Sequence, residues 1–179
     1  VGSPFVSVSR VLGYGIYLYD LEGITLKGNN VKNCYPVWAV YLIEPVNATV
    51  ENNNLQNCQG GLIALSGENL SISDCSATNC TSGGVLVINT EEEAGNGYTV
   101  SGCTVEGSYL GMAVIGEGTF TGNTLSGNYY GLVLYDVNNS LICGNTFTGN
   151  SLAGIAFDVD QEELMSHIGL FRSMESPAS

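Results

Sequence analysis

The sequence predicts an all-β fold: a right-handed parallel β-helix of about six to seven coils, each of roughly 23 residues with three strands. Three observations predict it. A small residue followed by alternating apolar positions recurs along the chain, and Asn or Cys recurs at fixed offsets behind it. No segment before residue 160 shows the apolar period of a helix. A single coil cannot bury its inward face alone, so the repeat itself indicates stacked coils.

The first strand of each coil follows the small residue. The anchors recur at steps of 20 to 27 residues: Gly15, Ala39, Gly61, Gly84, Gly111, Gly131 and Gly154. Two apolar columns come next and are two residues apart, as on one face of a strand. They are Ile16, Val40, Leu62, Val85, Met112, Leu132, Ile155 and Leu18, Leu42, Ala64, Val87, Val114, Leu134, Phe157.

Two further apolar columns predict the second and third strands. They are Leu26, Val50, Ile72, Val100, Phe120, Ile142 and Val31, Leu55, Ala77, Val105, Leu125, Phe147. A polar ladder follows each: Asn29, Asn53, Cys75, Cys103, Asn123, Asn145 and Cys34, Cys58, Cys80, Ser108, Asn128, Asn150. Asn suits such turns because it tolerates left-handed geometry and can bond its copy one coil away. A leucine-rich repeat has a similar period, but it would need one strand and a helical back in each unit.

The chain divides into a β-helix over 1–159 and a C-terminal amphipathic cap and tail over 160–179. Asp160 and Glu163 resemble a capping box, and Leu164, Ile168 and Phe171 share one helical face. We expect this short helix to cover the open edges of the last coil. Residues 1–11 form an incomplete first coil, and the rung after Gly84 carries an acidic insertion with Glu91, Glu92 and Glu93.

Charge excludes several function classes. Four Lys and Arg against 17 Asp and Glu give a net charge of -13, without the basic cluster that nucleic acid binding needs. The same field repels polyanionic glycans unless a divalent cation bridges them. No apolar run approaches the roughly 18 residues of a membrane span. We therefore predict neither a nucleic acid nor a membrane partner.

The outward positions of the first strand are apolar where a solvated face would be polar. We call the main members of these positions the outer stripe: Tyr17, Tyr19, Tyr41, Ile43, Ile63, Leu65, Leu86, Ile88, Ile115 and Tyr135. Another domain of a parent chain, a second subunit or a ligand should cover it. The tyrosines could stack on sugar rings, but the aliphatic centre favours packing against protein. The isolated chain should therefore associate, or bury the stripe under its own tail.

Four carboxylates are the catalytic candidates. Asp20 and Glu44 end the first strand of adjacent coils, and Asp136 and Asp158 should also lie near each other. Two carboxylates separated by the spacing between adjacent coils could serve a retaining glycosidase or bind Ca²⁺. The alternative is that they only form turns. No basic residue lies between Gly61 and Arg172, and Lys27 and Lys32 fall outside this column, which weakens a lyase mechanism.

"GLVLYDVNNSLICGNTFTGN", residues 131–150, resembles the repeat of β-helix proteins of the pectin-lyase-like superfamily, in the NosD and carbohydrate-binding/sugar-hydrolase (CASH) branch. The resemblance covers about residues 15–158. It implies an extracellular or cell-surface protein, of a kind common among polysaccharide lyases and hydrolases. NosD-type proteins are known as copper-binding, which would point to Cys34, Cys58 and Cys80.

The cysteines nevertheless predict buried free thiols. There is no CxxC pair, His167 is the only histidine, and a buried ladder leaves no open coordination position. Cys143 falls in an outward column and is the most reactive candidate. We predict no metal site and no cofactor, although Ca²⁺ is compatible with the paired carboxylates.

Two functions remain open. The first is a non-catalytic extracellular or cell-surface module, a scaffold or glycan-contacting domain whose apolar face packs against a partner. The second is a fragment of a polysaccharide lyase or glycoside hydrolase that uses the paired carboxylates. The missing base and the aliphatic stripe favour the first.

Overall fold

The structure is a computed structural model that describes residues 7–11, 13–89 and 97–168. Within these ranges the chain forms twenty strands, β1–β20, and one helix, α1. Every strand pairing is parallel, and each strand pairs with its counterpart in the next coil. The predicted all-β solenoid with three strands per coil is confirmed.

Three parallel sheets form the sides of the solenoid. The first sheet contains β2 (Ile16–Tyr19), β5 (Trp38–Ile43), β8 (Gly60–Leu65), β11 (Gly83–Ile88), β14 (Leu110–Ile115), β17 (Tyr130–Tyr135) and β20 (Ala153–Phe157). The second contains β3 (Thr25–Lys27), β6 (Thr49–Glu51), β9 (Ser71–Ser73), β12 (Tyr98–Ser101), β15 (Gly118–Thr121) and β18 (Leu141–Cys143). The third contains β1 (Ser7–Val11), β4 (Asn30–Cys34), β7 (Asn54–Gln56), β10 (Ser76–Thr78), β13 (Thr104–Glu106), β16 (Thr124–Ser126) and β19 (Thr146–Thr148).

The register of the sheets confirms the sequence columns. Leu132 lies opposite Ile155, and Ile16 lies opposite Val40. Except for Ile155 and Phe157 in the last coil, the inward columns of all three sheets form one apolar cluster between the sheets. The core is therefore a stack of like residues, each coil covering the inward face of the next.

The asparagine ladder holds adjacent coils together at one corner. Asn123 Oδ1 accepts the backbone N–H of Cys103 at 2.9 Å, and Asn123 Nδ2 donates to Val100 O and to Asn145 Oδ1, each at 2.9 Å. Asn123 is buried, and the amide satisfies backbone groups that the sharp turn leaves without a strand partner. The predicted bonding of each Asn to its copy is confirmed here.

At the other corner, in the second ladder, cysteine takes the equivalent position in the N-terminal coils. The N–H of Cys34 donates to Cys58 Sγ at 3.3 Å, as a backbone N–H donates to Asn elsewhere. All six cysteines are free thiols; five are buried, whereas Cys143 is exposed, as predicted. Hydrogen bonding from the thiol of Cys80, aided by Cys34 and opposed by burial, lowers the pKa of Cys58. The thiols therefore serve as structural acceptors in the ladder.

The anchoring glycines are required by close approach of neighbouring coils. A Cβ placed on Gly84 would meet the side chain of Val105 and, at 2.6 Å, the carbonyl oxygen of Gly111. No Cβ atom tolerates such short distances, so only glycine fits at this position of the strand. This explains the small residue that opens each repeat.

Helix α1 (Gln161–Ile168) confirms the predicted C-terminal helix. Asp160 Oδ1 accepts the N–H of Glu162 at 2.8 Å, so Asp160 is an N-cap. The helix lies against the outer face of the first sheet, where Leu164 and Ile168 join the buried residues of the outer stripe. It does not cover the underside of the last coil, where Ile155 and Phe157 are 39% and 64% exposed.

Other sequence predictions fall on residues outside the described ranges. These are the acidic insertion with Glu91, Glu92 and Glu93, the first residues of the incomplete coil, and Phe171. Within the described ranges, no helix combines the length and the apolar character that a membrane span requires.

Candidate binding face

The outer stripe lies on the first sheet in the register that the sequence predicts. Tyr17 is paired with Tyr41, Tyr41 with Ile63, and Ile63 with Leu86. The neighbouring column runs through Tyr19, Ile43, Leu65, Ile88, Ile115 and Tyr135. Outward and inward positions of these strands are both apolar, so the sheet carries apolar side chains on both faces.

Helix α1 covers the middle of this face. Ile63, Leu86 and Ile88 are fully buried, and they share a cluster with Leu164, Met165 and Ile168 of the helix. We call this part of the outer stripe the aliphatic section: Ile63, Leu86, Ile88 and Ile115. Of the covers expected from the sequence, the chain's own tail is the one observed here; a partner chain remains a prediction.

Polar and aromatic contacts hold the helix against Tyr109, which directly precedes β14 in the middle of the first sheet. The hydroxyl of Tyr109 donates to Glu163 Oε1 at 2.8 Å, and the His167 ring stacks on the Tyr109 ring with centroids 3.9 Å apart. Tyr129 stacks on Tyr109 at 4.9 Å. Burial, and then the neighbouring Glu163 carboxylate, raises the pKa of Tyr109, so its hydroxyl remains a donor.

The N-terminal end of the same face is aromatic and open. Tyr14, Tyr17 and Tyr41 contact each other pairwise with ring centroids 4.9 to 5.8 Å apart. Tyr17 is 50% exposed and Tyr19 is 56% exposed. We call Tyr14, Tyr17, Tyr19 and Tyr41 the tyrosine section. The tyrosine section exposes large ring surfaces to solvent, whereas the side chains of the aliphatic section are buried.

A cavity of about 190 Å³ opens beside the tyrosine section. It is lined by Tyr14, Pro36, Val37, Trp38, Tyr41, Gln59 and Ile168. The ring of Trp38 lies directly over Gly60. A Cβ on that glycine would overlap the indole, so the ring depends on glycine at this position. Pockets for drug-sized ligands measure about 300–1,000 Å³, so this smaller cavity suits a single small ring.

The polar groups around the cavity stay uncharged at neutral pH. Burial, followed by the influence of Tyr14 and Tyr17, raises the pKa of Tyr41 to about 12. Its hydroxyl therefore remains both a donor and an acceptor, and the Gln59 amide offers the same capacity. Aromatic walls with a few neutral hydrogen-bonding groups are typical of sites for small polar rings.

The sequence columns did not include Tyr14, Trp38 or Gln59. Tyr14 precedes the first anchor, and Gln59 lies in a turn. Trp38 belongs to a column that the repeat alignment left out: Trp38, Gly60, Gly83, Leu110, Tyr130 and Ala153. Gly60 and Gly83 occupy the position of Trp38 in the next two coils. This pair of glycines could have identified the column, since the large ring of the only tryptophan needs small neighbours in the adjacent coils.

The four candidate carboxylates all lie exposed at the ends of first-sheet strands. Asp20, Glu44, Asp136 and Asp158 have positive φ between 50° and 51°, the geometry of a turn that ends a strand. Asp20 donates its N–H to Ile43 O at 3.0 Å, next to Glu44. Asp136 and Asp158 line an open cavity of about 450 Å³ together with Tyr135. The catalytic role of these residues remains a prediction.

Lys27 is engaged away from the candidate carboxylates. Lys27 forms an ion pair with Glu51 on the outer face of the second sheet. Asp20 and Glu44 lie at the strand ends of the first sheet, a different side of the solenoid. The geometry therefore gives no support to a lysine base beside either carboxylate pair.

Three parallel sheets wound into stacked coils, with ladders at the corners, define the chain as a parallel β-helix repeat protein. A family model described as periplasmic copper-binding protein (NosD) matches residues 5–118 and 40–167. The chain belongs to the NosD family. No curated protein and no solved structure matches the chain.

The copper in the family description can be tested against the residues present. Among the described residues, no group of three or more His, Cys, Asp and Glu side chains is arranged to hold a metal. Cys34 and Cys80 are fully buried and their thiols donate to backbone carbonyls, while His167 is engaged with Tyr109 and Glu163. The donors that copper prefers are thus dispersed or already engaged, and this part of the chain does not fit a copper centre.

Proposed function

We propose that the protein is a non-catalytic module, located outside the cytoplasm, that contacts an uncharged glycan through its tyrosine section. The observation that carries this proposal is the cluster of Tyr14, Tyr17 and Tyr41 beside a cavity walled by Trp38. Sugar rings expose flat C–H faces that pack on aromatic rings, and their hydroxyls can bond Tyr41 and Gln59. The periplasmic family description supports the location.

Charge supports an uncharged ligand. The chain carries a net charge of -13, and such a field lowers the local concentration of polyanions such as pectate. A neutral glycan pays no such electrostatic penalty. Hydroxyl and amide groups around the cavity match neutral sugar hydroxyls without leaving a charge unpaired.

The test is titration with neutral hexasaccharides, cellohexaose and maltohexaose, against polygalacturonate as the charged comparison. Trp38 is the only tryptophan, so its fluorescence reports on the cavity. Binding should be lost in Tyr17→Ala and Tyr41→Ala. Phe157→Ala is the matched control, because Phe157 is also an exposed aromatic residue of the same sheet and lies in the last coil, away from the cavity. If neither sugar perturbs Trp38 or binds by calorimetry, the proposal is wrong.

The same variants test whether a second copy covers the tyrosine section. Sedimentation velocity over a range of concentrations measures self-association. A dimer that Tyr17→Ala abolishes, without any sugar binding, would assign the tyrosine section to a protein interface instead.

A hydrolytic function is the second candidate, and the open cavity beside Asp136 and Asp158 favours it. Two carboxylates beside a groove are the minimal equipment of a glycoside hydrolase. Release of reducing sugar from the same oligosaccharides, with and without Ca²⁺, tests this candidate. Activity that is lost in Asp136→Asn and Asp158→Asn would establish it and contradict the non-catalytic assignment.

A further inference from the structure

Helix α1 connects the two sections of the outer face. Its Leu164 and Met165 are buried in the cluster that contains the aliphatic section, and Ile168 lines the cavity beside Trp38 and Tyr41. The helix thus reaches from the middle of the first sheet to the N-terminal coils. One wall of the cavity comes from a segment more than a hundred residues away in sequence from Trp38.

This wall depends on tertiary contacts. An isolated helix of eight residues is not stable in water, so α1 is helical because it is docked. Its anchors are Leu164 and Met165 on the aliphatic section, and Tyr109, which donates to Glu163 and stacks on His167. Loss of these anchors would remove Ile168 from the cavity and expose one side of Trp38.

We infer that docking of α1 completes the sugar-binding cavity, so that glycan binding and helix docking stabilise each other. The inference rests on the proposed glycan contact. With α1 docked, Ile168 closes the cavity next to Trp38; with α1 undocked, the same rings form only an open surface. A sugar that occupies the completed cavity binds the docked state more tightly, and it must then favour docking by the same factor.

The first arm measures cellohexaose affinity in variants that loosen α1 without touching the cavity lining. Leu164→Ala removes a buried anchor that is not among the lining residues. We expect its affinity to fall by about 5-fold or more, within the usual range of coupling between sites. Tyr109→Phe removes only the hydrogen bond to Glu163 and should give a smaller loss in the same direction. Leu152→Ala is the matched control, a leucine 54% exposed in the last coil.

The second arm measures the reverse effect. Saturating cellohexaose should slow hydrogen exchange of the α1 backbone amides in the wild-type chain, and by a similar factor in Tyr109→Phe, where exchange starts from a faster rate. Circular dichroism of each variant confirms that the solenoid is folded, and Tyr109→Phe remains informative if Leu164→Ala fails to fold.

The outcomes separate this inference from the proposed function. If Tyr17→Ala loses sugar binding while Leu164→Ala and Tyr109→Phe bind as the wild type does, glycan contact stands and the coupling is wrong. Unchanged exchange of α1 amides under saturating sugar overturns the coupling in the same way. If the wild-type chain binds neither neutral sugar, the proposed function fails, and the inference fails with it.

Discussion

The aliphatic section and Tyr17, Tyr19 and Tyr41 of the tyrosine section occupy the same columns of the same sheet, yet the first is buried and the second is open. Leu86 and Tyr17 stand in one outward column, three coils apart; Leu86 is fully buried and Tyr17 is 50% exposed. Backbone geometry does not distinguish them. The difference lies in the polarity of the side chains and in the helix α1, which covers the aliphatic section.

The energetic reason for the cover follows from the side chains. Each large aliphatic residue gains roughly 1.5–3 kcal/mol on full burial, and α1 contributes three buried apolar side chains of its own. The tyrosine hydroxyl can hydrogen-bond to water while the ring packs on a neighbouring ring, so the tyrosine section can stay exposed to solvent. The tyrosine section is therefore the part of the face that stays exposed to solvent.

Truncating the two sections should give the largest contrast. Leu86→Ala opens a cavity beneath α1 and should lower the free energy of unfolding by about 2–5 kcal/mol. Tyr17→Ala removes only ring contacts and should cost about 1 kcal/mol. Urea unfolding of both variants measures the difference. Equal losses would show that the face does not divide into a covered and an open section.

Overpacking at the boundary should give a smaller effect. Gly60→Ala places a Cβ against the Trp38 ring and should cost about 1–3 kcal/mol. It should also shift the Trp38 fluorescence, because the ring has to move. Gly13→Ala is the control: a Cβ there has no neighbour within 4 Å, and the change should stay within about 0.5 kcal/mol. A Gly60→Ala variant as stable as the wild type would contradict the placement of Trp38.

Alkaline pH should give the smallest effect and should act on the tyrosine section. The pKa of Tyr41 is raised to about 12 from an ordinary value of 10, so the folded protein holds this proton more tightly than the unfolded chain does. Its contribution to stability is complete below pH 10 and is lost as pH rises toward 12. Urea midpoints measured from neutral pH to pH 12 should fall over that window, and less steeply in Tyr41→Phe. An identical fall in both proteins would assign the loss to other groups, among them Tyr98, whose pKa burial also raises to about 12.

Much of the fold could be predicted because each repeat residue acts on its copy one coil away. Three local features fix the register: a Gly that allows a carbonyl to approach closely, apolar residues two positions apart, and an Asn that bonds its copy in the next coil. The outer stripe was predictable for the same reason. The position of α1 was not: its apolar face fits the last coil or the side of the solenoid equally well in sequence, and only the three-dimensional surface distinguishes them.

The candidate site shows the same division. The sequence pointed to Tyr17, Tyr19 and Tyr41, because they fall in columns. It did not place Tyr14 and Gln59 beside them, because neither position belongs to the columns that the repeat alignment used. Nor could it bring Ile168 to Trp38, a contact that depends on the direction in which the chain returns after its last strand.

The sequence by itself determined a parallel β-helix with three strands per coil, its inward columns and an apolar outer face. Periodicity is enough for these features because neighbouring coils repeat the same contacts. Only the tertiary structure decided which part of that face is covered and where a cavity forms. The physical reason is that both depend on one non-repeating helix, whose burial is a long-range contact that no local pattern encodes.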